Sequence, residues 1–204
     1  MKSDDRCLLF FIKSPEEGKA KSRLAVSIGN GKAAAFYRSF VLEMLATLEN
    51  GDFRLHLYFY PENSRKDIQT WLGKDYDYIP QKGKDLGERM KNGFSDAFAS
   101  GFKRVVLVGS DIPDLPLEFI QEAFIALQKE EAVIGPSYDG GYYLIGFRDA
   151  GFSPEVFKDI PWSTERVFEK TVKLLGRKKV HFLPKCRDID TIEDLEKSKW
   201  NPEE

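Results

Sequence analysis

The residues of this chain best suited to chemistry begin at Gly109-Ser110-Asp111-Ile112-Pro113-Asp114, directly after the apolar run Val105-Val106-Leu107-Val108. A run of β-branched and leucine residues without polar alternation fits a strand covered on both faces, as in a parallel sheet. In open α/β sheets ligands bind outside the carboxyl ends of the strands, and Asp111 falls there. A carboxylate in that place can bind a hard cation that also meets phosphate oxygens, because magnesium keeps waters and takes further oxygens from its substrate. Asp114 competes for the role, although Asp-Leu-Pro can instead cap a helix beginning near Pro116. Ser110 lacks the Gly-x-Ser-x-Gly elbow of a nucleophile.

Five other stretches carry reactive residue types. Between Lys13 and Leu24 the basic side chains Lys19, Lys21 and Arg23 follow Gly18, a composition suited to a phosphate at a strand-to-helix junction. It is not a Walker A loop: Lys13 stands where a glycine is needed and Ala20 where a magnesium-binding hydroxyl is needed. A solvated basic loop accounts for the same residues. In Gln81-Lys82-Gly83-Lys84-Asp85-Leu86-Gly87-Glu88-Arg89, Asp85 and Glu88 have capping-box spacing; Gly83 and Gly87 can let backbone approach a ligand, with Arg89 one turn in. Asp139-Gly140-Gly141-Tyr142-Tyr143 is a hairpin signal that leaves Asp139 available as a general base toward an acceptor. In Pro161-Trp162-Ser163-Thr164 a hydroxyl can cap the next helix, while Trp162 either packs or covers a sugar or base ring. Finally, Thr191 and Asp194 have capping-box spacing, and Asp188 and Asp190 before them point to one side of an extended segment, toward a metal or toward solvent. His56 and His181 lie in strand-like runs without a nucleophile partner, which disfavours a Ser-His-Asp or Cys-His hydrolase.

The elements that must hold these residues alternate. Strands are expected at Cys7–Ile12, Arg54–Tyr60, about Tyr76–Pro80, Val105–Val108, Ala132–Gly135, Tyr142–Phe147 and Val180–Leu183. Helices are expected over 32–49, Ser64–Leu72, Leu86–Phe98, Pro116–Lys129, Ser163–Leu175 and Ile192–Lys199. Alternation of this kind predicts a three-layer α/β architecture, with a mainly parallel sheet, helices on both faces and antiparallel pairing at the Asp-Gly-Gly hairpin.

Composition narrows the classes of function. The 204 residues, 42% of them hydrophobic, suit one domain over 1–204 with a sizeable core. With 31 basic against 33 acidic residues, no broad electrostatic footprint points to nucleic acid or an anionic membrane, and any phosphate binding must be local. Cys7 and Cys186 have no metal-ligand spacing and read as free thiols in a reducing compartment. The apolar run Cys7–Ile12 is too short for a secretion signal or a membrane span, so a cytoplasmic location is expected. Oligomeric state is not legible.

Taken in order, Lys13-Ser14-Pro15 through Lys21-Ser22-Arg23-Leu24, Asp85-Leu86-Gly87-Glu88-Arg89-Met90, Gly109-Ser110-Asp111-Ile112-Pro113, Asp139-Gly140-Gly141-Tyr142 and Asp188-Ile189-Asp190-Thr191 resemble one family. It is the small nucleotide-diphospho-sugar transferases of glycosyltransferase-A fold, often labelled radical-SAM/selenodomain-associated transferases or arsenosugar-biosynthesis glycosyltransferases. The resemblance spans nearly the whole chain. A more distant similarity links it to phospholactate and molybdenum-cofactor guanylyltransferases, which share the fold but transfer a nucleotidyl group.

The resemblance implies a metal-dependent glycosyltransferase that moves a sugar from a nucleotide-diphospho-sugar to a small-molecule acceptor, with a divalent cation, Mg2+ or Mn2+, as cofactor. Gly18, Lys19, Lys21, Arg23, Gly83, Arg89 and Ser110 would bind the nucleotide. Asp111 would hold the metal with Asp190 as the second carboxylate, and Asp139 would orient or deprotonate the acceptor. Gly140, Gly141, Tyr142, Trp162, Ser163 and Thr164 would bind that acceptor. Gly109 stands where a strict Asp-x-Asp motif has its first acid. The alternatives are a nucleotidyltransferase releasing pyrophosphate from a nucleoside triphosphate, and a non-catalytic nucleotide-binding module.

Overall fold

The computed structural model describes residues 5–198 and 200. Strand β1 (Arg6–Lys13) is an interior strand, third in a seven-stranded sheet with β2 (Arg54–Tyr60), β3 (Asp77–Pro80), β4 (Arg104–Val108), β5 (Ala132–Pro136), β6 (Tyr142–Arg148) and β7 (Val180–Phe182), in the order β3-β2-β1-β4-β6-β5-β7. The pairs β1–β2, β2–β3, β1–β4 and β5–β7 are parallel. Only β6 runs against its neighbours β4 and β5, because a five-residue turn joins β5 to β6 and a parallel pair would need a crossover of a dozen residues or more.

Helices cover both faces, and the pleat of β1 shows how. Leu8, Phe10 and Ile12 pack with Tyr37, Val41, Met44 and Leu45 of α2 (Asn30–Leu48), Ile68 of α3 (Arg65–Leu72) and Ile120 and Phe124 of α5 (Leu117–Ala126). Cys7, Leu9 and Phe11 point the other way, against Met90, Phe94 and Ala97 of α4 (Leu86–Ala99) and Leu175 of α6 (Val167–Leu175). A strand alternates its side chains between the two faces, so an unbroken apolar run is what a middle strand requires. A short α1 (Ser22–Ile28) follows the first loop, and α7 (Ile192–Lys197) closes the described chain. Among the described residues no helix is long and apolar enough to cross a membrane.

The expected architecture is the one observed, with local differences. The first loop contains α1, which the sequence pattern does not announce: its N-cap, Lys21, sits in the left-handed region (φ 51°, ψ 47°) and makes no side-chain cap. Helix α5 starts at Leu117 with Pro116 as N-cap and no side-chain cap, so Asp114 does not cap it. Extended backbone at Pro116 (ψ 135°) puts the N-cap two residues after Asp114, too far along the chain for that carboxylate to hold the N-cap position. Helix α6 starts at Val167, not Ser163, because Ser163 has φ 64°; neither Ser163 nor Thr164 caps it. In contrast, Asp85 caps α4 by accepting the Glu88 N–H at 2.8 Å, and Thr191 and Asp194 form a full capping box on α7. Lys199, expected as the last residue of that helix, lies outside the described residues.

Candidate active site

The carboxyl ends of β1, β4 and β5 open into a cavity of about 660 Å³, a size suited to a small organic ligand. Three tethers align its floor. Tyr37 of α2 accepts the Lys13 N–H at 2.7 Å and shares a 3.0 Å hydrogen bond with the Ser110 hydroxyl, joining the end of β1 to the end of β4. Gln81, buried after β3, donates from Nε2 to the carbonyls of Ile12 (3.1 Å) and Tyr58 (2.8 Å). The Ile189 N–H donates to the Asp111 carbonyl at 2.9 Å, which brings the C-terminal acidic segment alongside Asp111. Burial, and next the Asp111 charge, push the Tyr37 phenol up to about 12, so it stays a neutral bridge.

One end of the cavity is acidic. Asp111, Asp139, Asp188 and Asp190 line it together with Lys21 and Arg23. The Lys21 ammonium is paired with Asp111, lies 3.0 Å from Asp190 and donates to the Ile189 carbonyl at 2.7 Å; its side chain is only 3% exposed, against 49% for Asp111. Burial alone would lower the Lys21 pKa, but Asp111 and Asp190 outweigh it and hold the ammonium above the usual lysine range. Burial likewise raises Asp190, yet Lys21 and Arg23 hold it below the usual carboxylate range. Asp188 has no such partner: burial, then the charges of Asp139, Asp190 and Asp111, push it up to about 6. Asp139 accepts from Gly141 N–H at 2.8 Å and from the Ser137 hydroxyl, so its carboxylate braces the β5–β6 turn while still reaching the cavity.

The other end is aromatic. Tyr142 and Trp162 meet edge to face with centroids 6.5 Å apart, and the Tyr142 hydroxyl lies 3.9 Å from Met90 Sδ. Gly87 permits this contact: a Cβ there would stand 2.7 Å from the Phe157 carbonyl and 2.8 Å from the Trp162 ring. Gly140 permits the turn to dock on the next segment. Its φ is +88°, and a Cβ would fall 2.2 Å from the Glu165 carbonyl.

The structure brings most of the sequence-nominated residues to this one cavity: Lys19, Lys21, Arg23, Arg89, Ser110, Asp111, Asp139, Gly141, Tyr142, Trp162, Ser163, Thr164 and Asp190 all line it. Gly18, Gly83 and Gly140 do not. Lys21, nominated for phosphate, has its ammonium turned into the acid group instead. Lys19 is exposed and pairs with Glu16 at 2.6 Å. Arg23 reaches Asp190 Oδ2 at 3.6 Å, and Arg89 lies over the Tyr60 ring at 3.9 Å. Tyr37 and Gln81 carry no local motif. Tyr37 is one polar group on the apolar face of a helix and Gln81 opens a polar loop after β3, signals shared by many structural residues.

Aspartate oxygens at a strand end are the right donors for a hard cation. Yet among the described residues no group of three or more His, Cys, Asp and Glu is placed to hold a metal ion. The donor set therefore suits a cation that arrives with phosphate oxygens and does not suit a protein-only cage.

The order β3-β2-β1-β4-β6-β5-β7 with helices on both faces and a cavity at the strand ends defines the glycosyltransferase-A-like class of nucleotide-diphospho-sugar transferase folds. The chain belongs to the family described as "Uncharacterized protein conserved in bacteria (DUF2064)", whose profile matches residues 43–164. It is similar to a Desulfovibrio desulfuricans G20 protein provisionally described as a nucleotide-diphospho-sugar transferase, with 46% identity over 95% of this chain and 85% of that one and a TM-score of 0.91. Two more distant structures share the fold alone. One is CMP:2-keto-3-deoxy-manno-octonic acid synthetase complexed with CTP (7% identity, 95% and 96% of the two chains, TM-score 0.59). The other is a Mycobacterium tuberculosis H37Rv protein in complex with manganese (16%, 95% and 97%, TM-score 0.55). No curated protein matches the chain.

Proposed function

We propose that this chain is a nucleotide-dependent transferase that moves a sugar from a nucleotide-diphospho-sugar to a small-molecule acceptor. The observation that carries the reading is the convergence of Asp111, Asp188 and Asp190 at one end of a cavity whose lining also includes Lys13, Lys19, Arg23 and Arg89. Acidic and basic groups side by side suit a diphosphate bound through a cation. The description of the 46%-identical Desulfovibrio protein supports the same reading, and the manganese complex of a fold neighbour supports a divalent metal.

In this reading Asp111 with Asp190 would hold Mg2+ or Mn2+, and the chemistry supplied there is neutralisation of charge on the leaving diphosphate. Lys19, Arg23 and Arg89 bind phosphate oxygens. Tyr37 and Gln81 keep the ends of β1, β3 and β4 in register beneath the donor. Asp139, braced by Gly141, faces the acceptor and takes or orients its hydroxyl proton, while Tyr142 and Trp162 exclude water from the acceptor side. The two free cysteines suit action in the cytoplasm.

Nucleotidyl transfer is the second reading, favoured by the CTP complex of a fold neighbour. A thermal-shift screen of nucleotides and sugar nucleotides with and without Mn2+ tests the shared core, since a ligand of the native state raises apparent stability by mass action. A metal-dependent shift that Asp111→Ala abolishes is expected; no shift with any nucleotide overturns both readings. Pyrophosphate release from a triphosphate with acceptor present replaces the first reading by the second.

A further inference from the structure

Lys21 is the one cation of the first loop that does not face outward. It is held at the head of α1 in a left-handed conformation that an L-residue adopts at a cost. From there its ammonium reaches Asp111, Asp190 and the Ile189 carbonyl, three groups contributed by two segments distant in sequence. Its side chain is 3% exposed, yet Lys21 also lines the cavity. The space between Asp111 and Asp190 is where the proposed function puts a divalent cation. An ammonium and a metal ion cannot share the same two carboxylate oxygens, because their charges repel at that separation with little water between them.

We propose that Lys21 is an exchangeable internal cation. In the nucleotide-free protein its ammonium holds Asp111 and Asp190 together in place of a metal. When a divalent cation arrives with a nucleotide diphosphate, the carboxylates pass to the metal and the ammonium, on its flexible four-carbon stem, swings to the phosphate oxygens. The divalent ion then brings two positive charges to Asp111 and Asp190 where the ammonium supplied one, the single charge of the ammonium moves to the diphosphate, and no covalent bond is made or broken. Lys21 is thus a positioning residue that couples metal binding to nucleotide binding. The inference rests on the functional reading above and adds a sign: the free protein resists the metal that the complex requires.

Manganese titrations followed by electron paramagnetic resonance, with and without CDP, GDP or UDP, test it. Wild-type protein is expected to bind Mn2+ weakly alone and about tenfold or more tightly with one of the nucleotides, within the usual range of coupling between sites. Lys21→Gln, checked for folding by circular dichroism, is expected to bind Mn2+ alone about tenfold more tightly than wild type and to lose most of the nucleotide coupling; Lys21→Arg keeps the wild-type pattern. A purely structural lysine would give the opposite sign, so a folded Lys21→Gln with unchanged or weaker Mn2+ affinity overturns the exchange. Should Lys21→Gln not fold, lysine-selective 15N NMR of the wild type decides. The Lys21 ammonium is expected as a slowly exchanging signal that moves on saturation with the Mg2+ complex of the nucleotide, and a signal that stays in place overturns the proposal. Tight Mn2+ binding by nucleotide-free wild type overturns the exchange alone. Failure of the wild type to bind either metal or nucleotide overturns the functional reading with it.

Discussion

The two ends of the cavity are built on different physics. The acidic end is assembled by charge across long sequence separations: Lys21 and Asp190 are 169 residues apart and make a 3.0 Å contact. The aromatic end is assembled by steric fit, with Trp162 seated where Gly87 has no side chain. An end held by ion pairs can be rearranged by an incoming ion, whereas an end held by close packing keeps its shape. Under the proposed function, that division would let charged phosphates be met by the ion-paired groups while the close-packed aromatic groups keep water from an acceptor.

Substituting Lys21 tests the acidic end most severely. Lys21→Met removes the ammonium paired with Asp111 and, among the described residues, leaves Asp190 with only Arg23, at 3.6 Å, and breaking a buried pair typically costs 3–5 kcal/mol. Because Asp111 is half exposed, a loss of about 3 kcal/mol is expected at pH 7 by urea denaturation. The sign with pH follows from Asp190, which Lys21 holds below its ordinary range. Its stabilisation is present above that range and fades as pH falls through it, so wild type and variant should converge in acid. Equal losses at pH 7 and in acid would show that packing, not charge, holds this end.

Gly87→Ala is the matching test of the aromatic end. A methyl group there must displace the Phe157 carbonyl or the Trp162 ring, and overpacking of this kind costs about 1–3 kcal/mol, offset in part by the better helix propensity of alanine. We expect a net loss of about 1 kcal/mol that does not change with salt or pH. A salt-dependent loss would blur the distinction between the two ends.

Tyr37→Phe sharpens the comparison from below the site. It removes the acceptor of the Lys13 N–H and the partner of Ser110, at about 1 kcal/mol per lost buried partner. Weaker nucleotide affinity measured by calorimetry should accompany the loss, because the ends of β1 and β4 then lose their tether.

The smallest effect is a gain. Asp188 has its pKa raised to about 6, above the unfolded value, so the folded state binds this proton more tightly and stability falls as pH rises through the window between the two values. Asp188→Asn should therefore stabilise the ligand-free protein at pH 8 by on the order of 1 kcal/mol, discounted for the solvent that still reaches the group and equal to roughly 2–4 °C in Tm for a domain of this size. The gain should vanish below about pH 4, where the carboxyl is protonated in both states. A gain that persists there would mean that Asp188 does not feel the neighbouring carboxylates.

Much of the fold was legible. Arg54–Tyr60 is a strand with the bounds its pattern predicts, because alternation and apolar runs report burial directly. Asp85 and Thr191 cap their helices as expected, since a capping box is a local geometry. The failures occurred where backbone conformation departs from what residue type suggests: Lys21 and Ser163 adopt positive φ, which hides the start of α1 and delays that of α6. Asp114 failed as a cap for a related reason, because Pro116 occupies the N-cap position itself.

The site divides along the same line. Residue type and local spacing were enough to nominate Asp111, Asp139, the pair Asp188 and Asp190 and the basic loop, because chemistry-bearing side chains are visible without knowing what they touch; the choice of Asp190 within its pair came from the family resemblance. The sequence by itself thus determined the layered architecture and the cast of residues. Which partner each of them has was decided by the tertiary structure, since contact between Lys21 and Asp190, or between Gly87 and Trp162, depends on where the parallel sheet and its crossovers deliver distant segments. The direction of the Lys21 ammonium, toward carboxylates instead of solvent, is the clearest case: charge and spacing are properties of the chain, but the pairing that offsets burial of a charge exists only in the folded protein.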